Sequence, residues 1–310
     1  MGPELSGGAR LRELLMSPLV LNETMGLIMN HRRMNRSRAG RVGVFLGVLL
    51  FLLPQLLVAQ EQESPAVRAQ LLLEPTALGR PFRVVIRFTI KEGWHLYWIN
   101  PGDSGLPIDV QWELPKGYKA EPVQYPTPEK YVEAGLIAYG YKHEVELLAT
   151  IVPPAGSASR KPVKIVAKLD WLACKESCVP GSARVEAVRS DPKGSGPWIS
   201  TSALNSCESK LPRSDLSQIG AHVKAARVLA EGSERVIRIA VAGLDHLSGA
   251  DFYPEPIKEA TIDHRNITVA GGVIDIPVTP YREATVFTRV RGLLIVNGTG
   301  YRLQAAINPS

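Results

Sequence analysis

From residue 81 onward the chain alternates apolar and polar residues with period two, the pattern of strands buried on one face. In the run from Pro81 to Ile90, Phe82, Val84, Ile86, Phe88 and Ile90 share one face, while Arg83, Arg87 and Thr89 point the other way. Ile108, Val110, Trp112 and Leu114 repeat the pattern, as do Val145, Leu147, Ala149 and Ile151. Val163, Ile165, Ala167, Leu169 and Trp171 follow it opposite Lys164, Lys168 and Asp170, and a shorter run spans 184–188. No helical period lies between these runs, and 27 Gly and 24 Pro supply the turns. The pattern predicts an all-β chain built as an antiparallel sandwich.

The alternation breaks at Ser190-Asp-Pro-Lys-Gly-Ser-Gly-Pro197, a linker by composition. Residues 198–210 then read as one short helix, closed by Pro212. Strand patterning resumes with runs at 223–229 and 235–241, a hairpin about Glu231-Gly-Ser233, and continues around Ile262, 273–278, 285–290 and 293–296. The expected organisation is an N-terminal extension and signal peptide at 1–59, a β-sandwich at 65–190, a linker with a short helix at 191–217, and a second, smaller β-sandwich at 218–310.

The formal net charge of +6 comes mostly from the first 59 residues, which carry seven arginines and three acids. The remaining chain is close to neutral, which argues against the concentrated basic surface that a nucleic-acid binder needs. Arg32, Arg33, Arg36, Arg38 and Arg41 precede the uncharged apolar run 42–59, and polar Gln60-Glu-Gln-Glu-Ser64 follows it. That order reads as a secretory signal cleaved near Ala59, in preference to a membrane anchor, because Pro54-Gln55 interrupts a run already short of the roughly 20 residues of a span. The expectation is an exported, periplasmic protein whose mature form does not span the membrane.

Export places the cysteines in an oxidising compartment, where nearby thiols pair. There are three, Cys174, Cys178 and Cys207, and the first two lie close together in Trp171-Leu-Ala-Cys-Lys-Glu-Ser-Cys-Val-Pro180. Four residues of extended strand would separate two Cα atoms by about 13 Å, whereas a disulfide needs less than about 7 Å. The chain must therefore curl at the pair into a turn or a single helical turn, which Pro180 helps to stop. A staple closing so small a loop contributes only about 2 kcal/mol in the chain-entropy estimate. By spacing alone, a redox pair and a structural staple remain equally good readings. Thiolate metal binding has less support, since His95 and His143 form no ligand motif with the pair. Neither a metal nor a cofactor is expected.

Three separated segments carry a resemblance: Gly93-Trp-His-Leu-Tyr-Trp-Ile-Asn-Pro-Gly-Asp-Ser-Gly-Leu-Pro107, Tyr139-Gly-Tyr141, and the cysteine segment 171–180. In this order they resemble the N-terminal periplasmic domain of the thiol:disulfide interchange protein DsbD, in its ScsB-like branch, over residues 65–190. Asp251-Phe-Tyr-Pro254 resembles the region that follows in that branch. The resemblance implies an immunoglobulin-like sandwich with a redox-active pair, in which Cys178 forms the mixed disulfide and Cys174 resolves it. It implies partners of two kinds: thioredoxin-like periplasmic proteins, including those of cytochrome c maturation, and a separate membrane thiol electron transporter. The family's best-known members space the two cysteines further apart. The alternative from a different class is a non-catalytic interaction module with a structural disulfide.

Other residues are read more plainly. Most rings of the two aromatic groups, Trp94 to Trp98 and Tyr131 to Tyr141, are expected in core packing. Asn100 to Pro107 is turn chemistry, Asp170 a solvated strand residue, and Cys207 a small residue on a packed helix face. Asn266-Ile-Thr268 and Asn297-Gly-Thr299 match glycosylation acceptors, with little meaning in a bacterial chain.

Overall fold

A computed structural model describes residues 66–156, 162–190, 195–231 and 234–308. The arginine-rich segment, the signal peptide and its cleavage site therefore lie outside the described residues, as do 191–194 of the linker and 232–233 of the expected hairpin turn.

The first ten strands are β1 (Val67–Leu73), β2 (Phe82–Ile90), β3 (His95–Gly102), β4 (Asp109–Glu113), β5 (Lys119–Ala120), β6 (Glu129–Glu133), β7 (Leu136–Lys142), β8 (Glu144–Val152), β9 (Val163–Cys174) and β10 (Cys178–Arg189). They form two antiparallel sheets. One runs β1-β2-β8-β5, and the other runs β10-β9-β3-β7-β6 with β4 beside β9. The inward faces are those the alternation marks: Phe82 through Ile90 on β2, Val145 through Ile151 on β8, and Ile165 through Trp171 on β9 share one buried cluster.

The outward face of the first sheet is not left to water. Val85, which alternation assigns to the polar side, is fully buried with Leu148 beneath helix α1 (Thr201–Ser209). Ser200 caps that helix by accepting a hydrogen bond from Ala203 N at 3.2 Å. Arg83 reaches Glu74 and Glu208 around its margin.

The remaining strands are β11 (His222–Glu231), β12 (Glu234–Ala242), β13 (Asp251–Pro254), β14 (Ala260–Ile262), β15 (Thr268–Ala270), β16 (Val273–Pro280), β17 (Arg289–Val296) and β18 (Thr299–Ala306). A five-stranded sheet runs β11-β12-β16-β14 with β15 also on β16, and a three-stranded sheet runs β13-β17-β18. Both contribute to a second buried cluster.

Two expectations change here. Residues 285–288 are not strand, and the runs at 290 and 293–296 are one strand passing through Gly292. Gly292 is required there because Phe252 and the Tyr253 carbonyl press on its Cα, leaving no space for a side chain. Asn297-Gly298, with φ of +49° and +76°, turns β17 into β18, so its sequence marks a hairpin.

The two clusters lie within one compact unit, Gln62–Ser310. Tyr253, Leu293 and Ile295 of the second sandwich join the first cluster, Tyr253 meets Tyr139 at a 4.7 Å centroid distance, and Asn100 Nδ2 donates to Pro254 O at 2.8 Å. Among the described residues, no helix is long and apolar enough to cross a membrane.

Candidate redox site

Strands β9 and β10 are twelve residues each and pair antiparallel along their whole length, ending at a Cys174–Cys178 pair directly opposite one another. The three residues Lys175-Glu-Ser177 close the hairpin, with Lys175 N donating to Ser177 O at 3.2 Å. The Cα atoms are 4.1 Å apart and the sulfurs are bonded.

The approach of the two cysteines therefore comes from chain reversal between strands, not from helical rise. Pro180 does not stop a turn. It lies within β10 opposite Leu172, where the missing N–H is tolerated because β10 is a sheet edge. Gly181 follows, and the Trp171 indole covers its Cα so closely that any side chain would collide with the ring. Trp171 in turn meets Phe88 edge-on at 5.5 Å.

The two cysteines differ in surroundings. Cys174 is 3% exposed, while Cys178 is an exposed residue. Register carries one row across four strands: Cys178 on β10, Cys174 on β9, His95 on β3 and Lys142 on β7. Directly opposed residues share a face, so all four side chains rise from the outer side of the sheet, away from the sandwich core.

Tyr97 stands two residues along β3, with its Oη 3.9 Å from Cys178 Sγ. A disulfide sulfur carries no proton, so the phenol donates. Gly105 lies against the Tyr97 ring, the Tyr97 backbone bridges to Pro107, and His95 meets the ring edge-on at 5.0 Å. Tyr131 completes the enclosure, 6.0 Å from His95, and Lys142 Nζ sits 3.9 Å above its centroid.

His95 is 2% exposed, with Nδ1 3.7 Å from Glu133 Oε1 and Nε2 buried without a hydrogen-bond partner. Burial, helped by the Lys142 charge and opposed by Glu133, holds its imidazole below the ordinary range and therefore neutral at pH 7. Burial, with Glu133 adding to it, pushes the Tyr97 phenol up, so it stays protonated.

On the core side of the hairpin, Trp94, Trp171, Val179, Pro180 and Gly181 line a cleft of about 340 Å³. Among the described residues, no group of three His, Cys, Asp or Glu is placed to hold a metal ion.

The other residues weighed from sequence lie elsewhere. Asp170 is exposed and four strand positions from Cys174, about 13 Å away. His143 is exposed at the β7–β8 turn beside Glu92. Cys207 is buried on α1, on the other sheet.

Sequence reasoning weighed His95 only as a metal ligand and missed Tyr97, Tyr131, Glu133 and Lys142 as neighbours of the pair. One signal existed. His95 and Tyr97 occupy the phase of β3 opposite the core residues Leu96 and Trp98, so they needed a cover on the outer face.

The family described as thiol:disulfide interchange protein DsbD, N-terminal, matches residues 65–190. Residues 65–190 form a DsbD N-terminal-like domain. The N-terminal periplasmic domain of ScsB from Proteus mirabilis aligns over 80% of this chain and 96% of its own, at 14% identity and a TM-score of 0.61. That likeness shows the fold, and it reaches beyond the DsbD N-terminal-like domain into the second sandwich. The yeast GGA1 GAE domain aligns over 41% of this chain and 94% of its own at 14% identity, with a TM-score of 0.25, too loose to carry an argument. A search of curated protein sequences found no match. The DsbD N-terminal-like domain is thus a thiol:disulfide interchange domain with an immunoglobulin-like, all-β fold.

Proposed function

We propose that this chain passes electrons between proteins of the bacterial periplasm by thiol–disulfide exchange, as a disulfide reductase or electron carrier. Cys178 meets the partner and Cys174 resolves the mixed disulfide. The observation that carries this is the difference in exposure within one hairpin disulfide. A partner thiol or disulfide can reach Cys178 along the sheet edge, whereas Cys174 is shut beneath it. The pair also adds little as a staple, since a continuous twelve-residue strand ladder already holds the two chain segments and so small a loop contributes only about 2 kcal/mol.

The partners are thioredoxin-fold periplasmic proteins on one side and a membrane dithiol electron transporter on the other, as the family relationship suggests. The test is a glutathione redox titration followed by thiol trapping. A potential above about −300 mV fits exchange, and one below it marks a structural disulfide and ends this reading. In the Cys174→Ser variant, a thioredoxin-fold partner should be held as a mixed disulfide on Cys178. No such adduct should form in Cys178→Ser.

A further inference from the structure

Resolution of a mixed disulfide poses a proton problem at Cys174. Only a thiolate attacks a disulfide sulfur, and this sulfur belongs to a residue 3% exposed, with little water to take the proton. His95 is its register partner across β9 and β3, so their Cβ atoms stand about 5 Å apart on the same face. The imidazole has one nitrogen towards Glu133 and the other buried with no partner. Buried polar atoms are rarely left unpaired. Its residue stands in register with Cys174, the group whose hydrogen-bonding changes on reduction, because a disulfide sulfur has no proton to offer and a thiol has one.

We infer that His95 accepts the Cys174 proton when the mixed disulfide is resolved, with Glu133 holding its ring. The inference rests on the exchange chemistry proposed above. The charged and titratable groups facing the imidazole are Glu133 and Tyr131 from β6, Lys142 from β7, Tyr97 from β3 and Cys174 from β9.

In the reducing direction, the Cys178 thiolate attacks a sulfur of the partner's disulfide. A Cys178–partner bond forms, and the second partner sulfur leaves with its electron pair, to be protonated from solvent. Cys174 then gives its proton to His95 and attacks Cys178 Sγ. The Cys174–Cys178 bond forms as the Cys178–partner bond breaks. The departing partner thiolate takes the imidazolium proton, so His95 ends neutral. The pair loses two electrons and the partner disulfide gains two.

Mixing the reduced full chain with equimolar 5,5′-dithiobis(2-nitrobenzoate) separates the two steps. Attack by Cys178 releases the first thionitrobenzoate and closure by Cys174 the second, and stopped-flow absorbance reads both. Cys207 is buried, and burial, with the Glu146 carboxylate beside it, pushes its thiol up to about 12, so it stays silent. His95→Gln should leave the first phase within about twofold and slow the second at least about tenfold at pH 7. Its second phase should also lose the wild-type plateau and rise with hydroxide from about pH 6 to 8. Glu133→Gln, at a side chain 44% exposed, keeps the ring and should move the acid limb of the second phase to lower pH.

A His95→Gln second phase with wild-type rate and pH profile overturns the inference, as does equal slowing of both phases. Should His95→Gln fail to fold by circular dichroism, an unmoved acid limb in Glu133→Gln overturns it alone. The aromatic disulfide reports on the two sulfurs themselves, so these outcomes are distinct from the glutathione titration that decides the exchange function.

Discussion

At the disulfide, Cys178 is exposed and lies within reach of the Tyr97 hydroxyl. A hydrogen bond to a charged acceptor contributes about 1.5–3 kcal/mol, so Tyr97→Phe is expected to remove a donor from the Cys178 thiolate and slow its alkylation at neutral pH. The pH profile of iodoacetamide alkylation in the Cys174→Ser background reads this directly, and an unmoved profile would show the phenol to be packing alone. Gly181 makes a different prediction, because Trp171 occupies the space of any side chain there. Gly181→Ala should cost about 1–3 kcal/mol by overpacking, measured as a lower urea midpoint at constant slope.

Helix α1 is joined to β8 by a polar lock that period-two patterning does not show. Glu146 is 6% exposed and receives Cys207 Sγ at 3.0 Å, Lys210 Nζ at 3.2 Å and Arg87 Nε at 2.9 Å. Burial alone would raise its carboxyl, but the bonds from Cys207, Arg87 and Lys210 outweigh that and hold it below the usual carboxylate range. The folded-state pKa is depressed, so the lock's stabilisation is full above the ordinary value of 4.5 and is lost as pH falls below it. Glu146→Ala should cost about 2 kcal/mol and open α1, exposing Cys207 to maleimide at neutral pH. Continued protection of Cys207 in that variant would place the helix's anchorage in the Val85, Leu148 and Leu204 packing instead.

Across the whole molecule, the two sandwiches meet where Tyr139, Tyr253 and the buried His264 pack together, with Lys130 bonded to Asp251. Burial, with Lys130 adding to it and Asp103 and Asp263 opposing, holds His264 below its ordinary 6.5. A histidine kept neutral in the fold stabilises it fully above 6.5, and that stability is lost as pH falls towards the folded-state value. The melting temperature should therefore drop between pH 7.5 and 5.5, His95 acting in the same sense. His264→Gln should show a smaller drop than wild type, and an equal drop would remove the junction from the account.

The sequence by itself marked the inner faces of β2, β8 and β9 and the cysteine pair, because period-two alternation and a short spacing are local properties, but it did not mark β1, β3, β6 or β7 as strands. Phe82 through Ile90 had one apolar face, and two thiols four residues apart could not meet along an extended strand. It did not determine what crosses the outer faces. Val85 was buried by a helix more than a hundred residues later, and His95 was brought beside Cys174 by pairing between β3 and β9. Such contacts depend on which strands neighbour one another and which surfaces are covered, and no local period encodes either. Tertiary structure alone therefore decided that Cys178 is exposed while Cys174 is buried in register with His95.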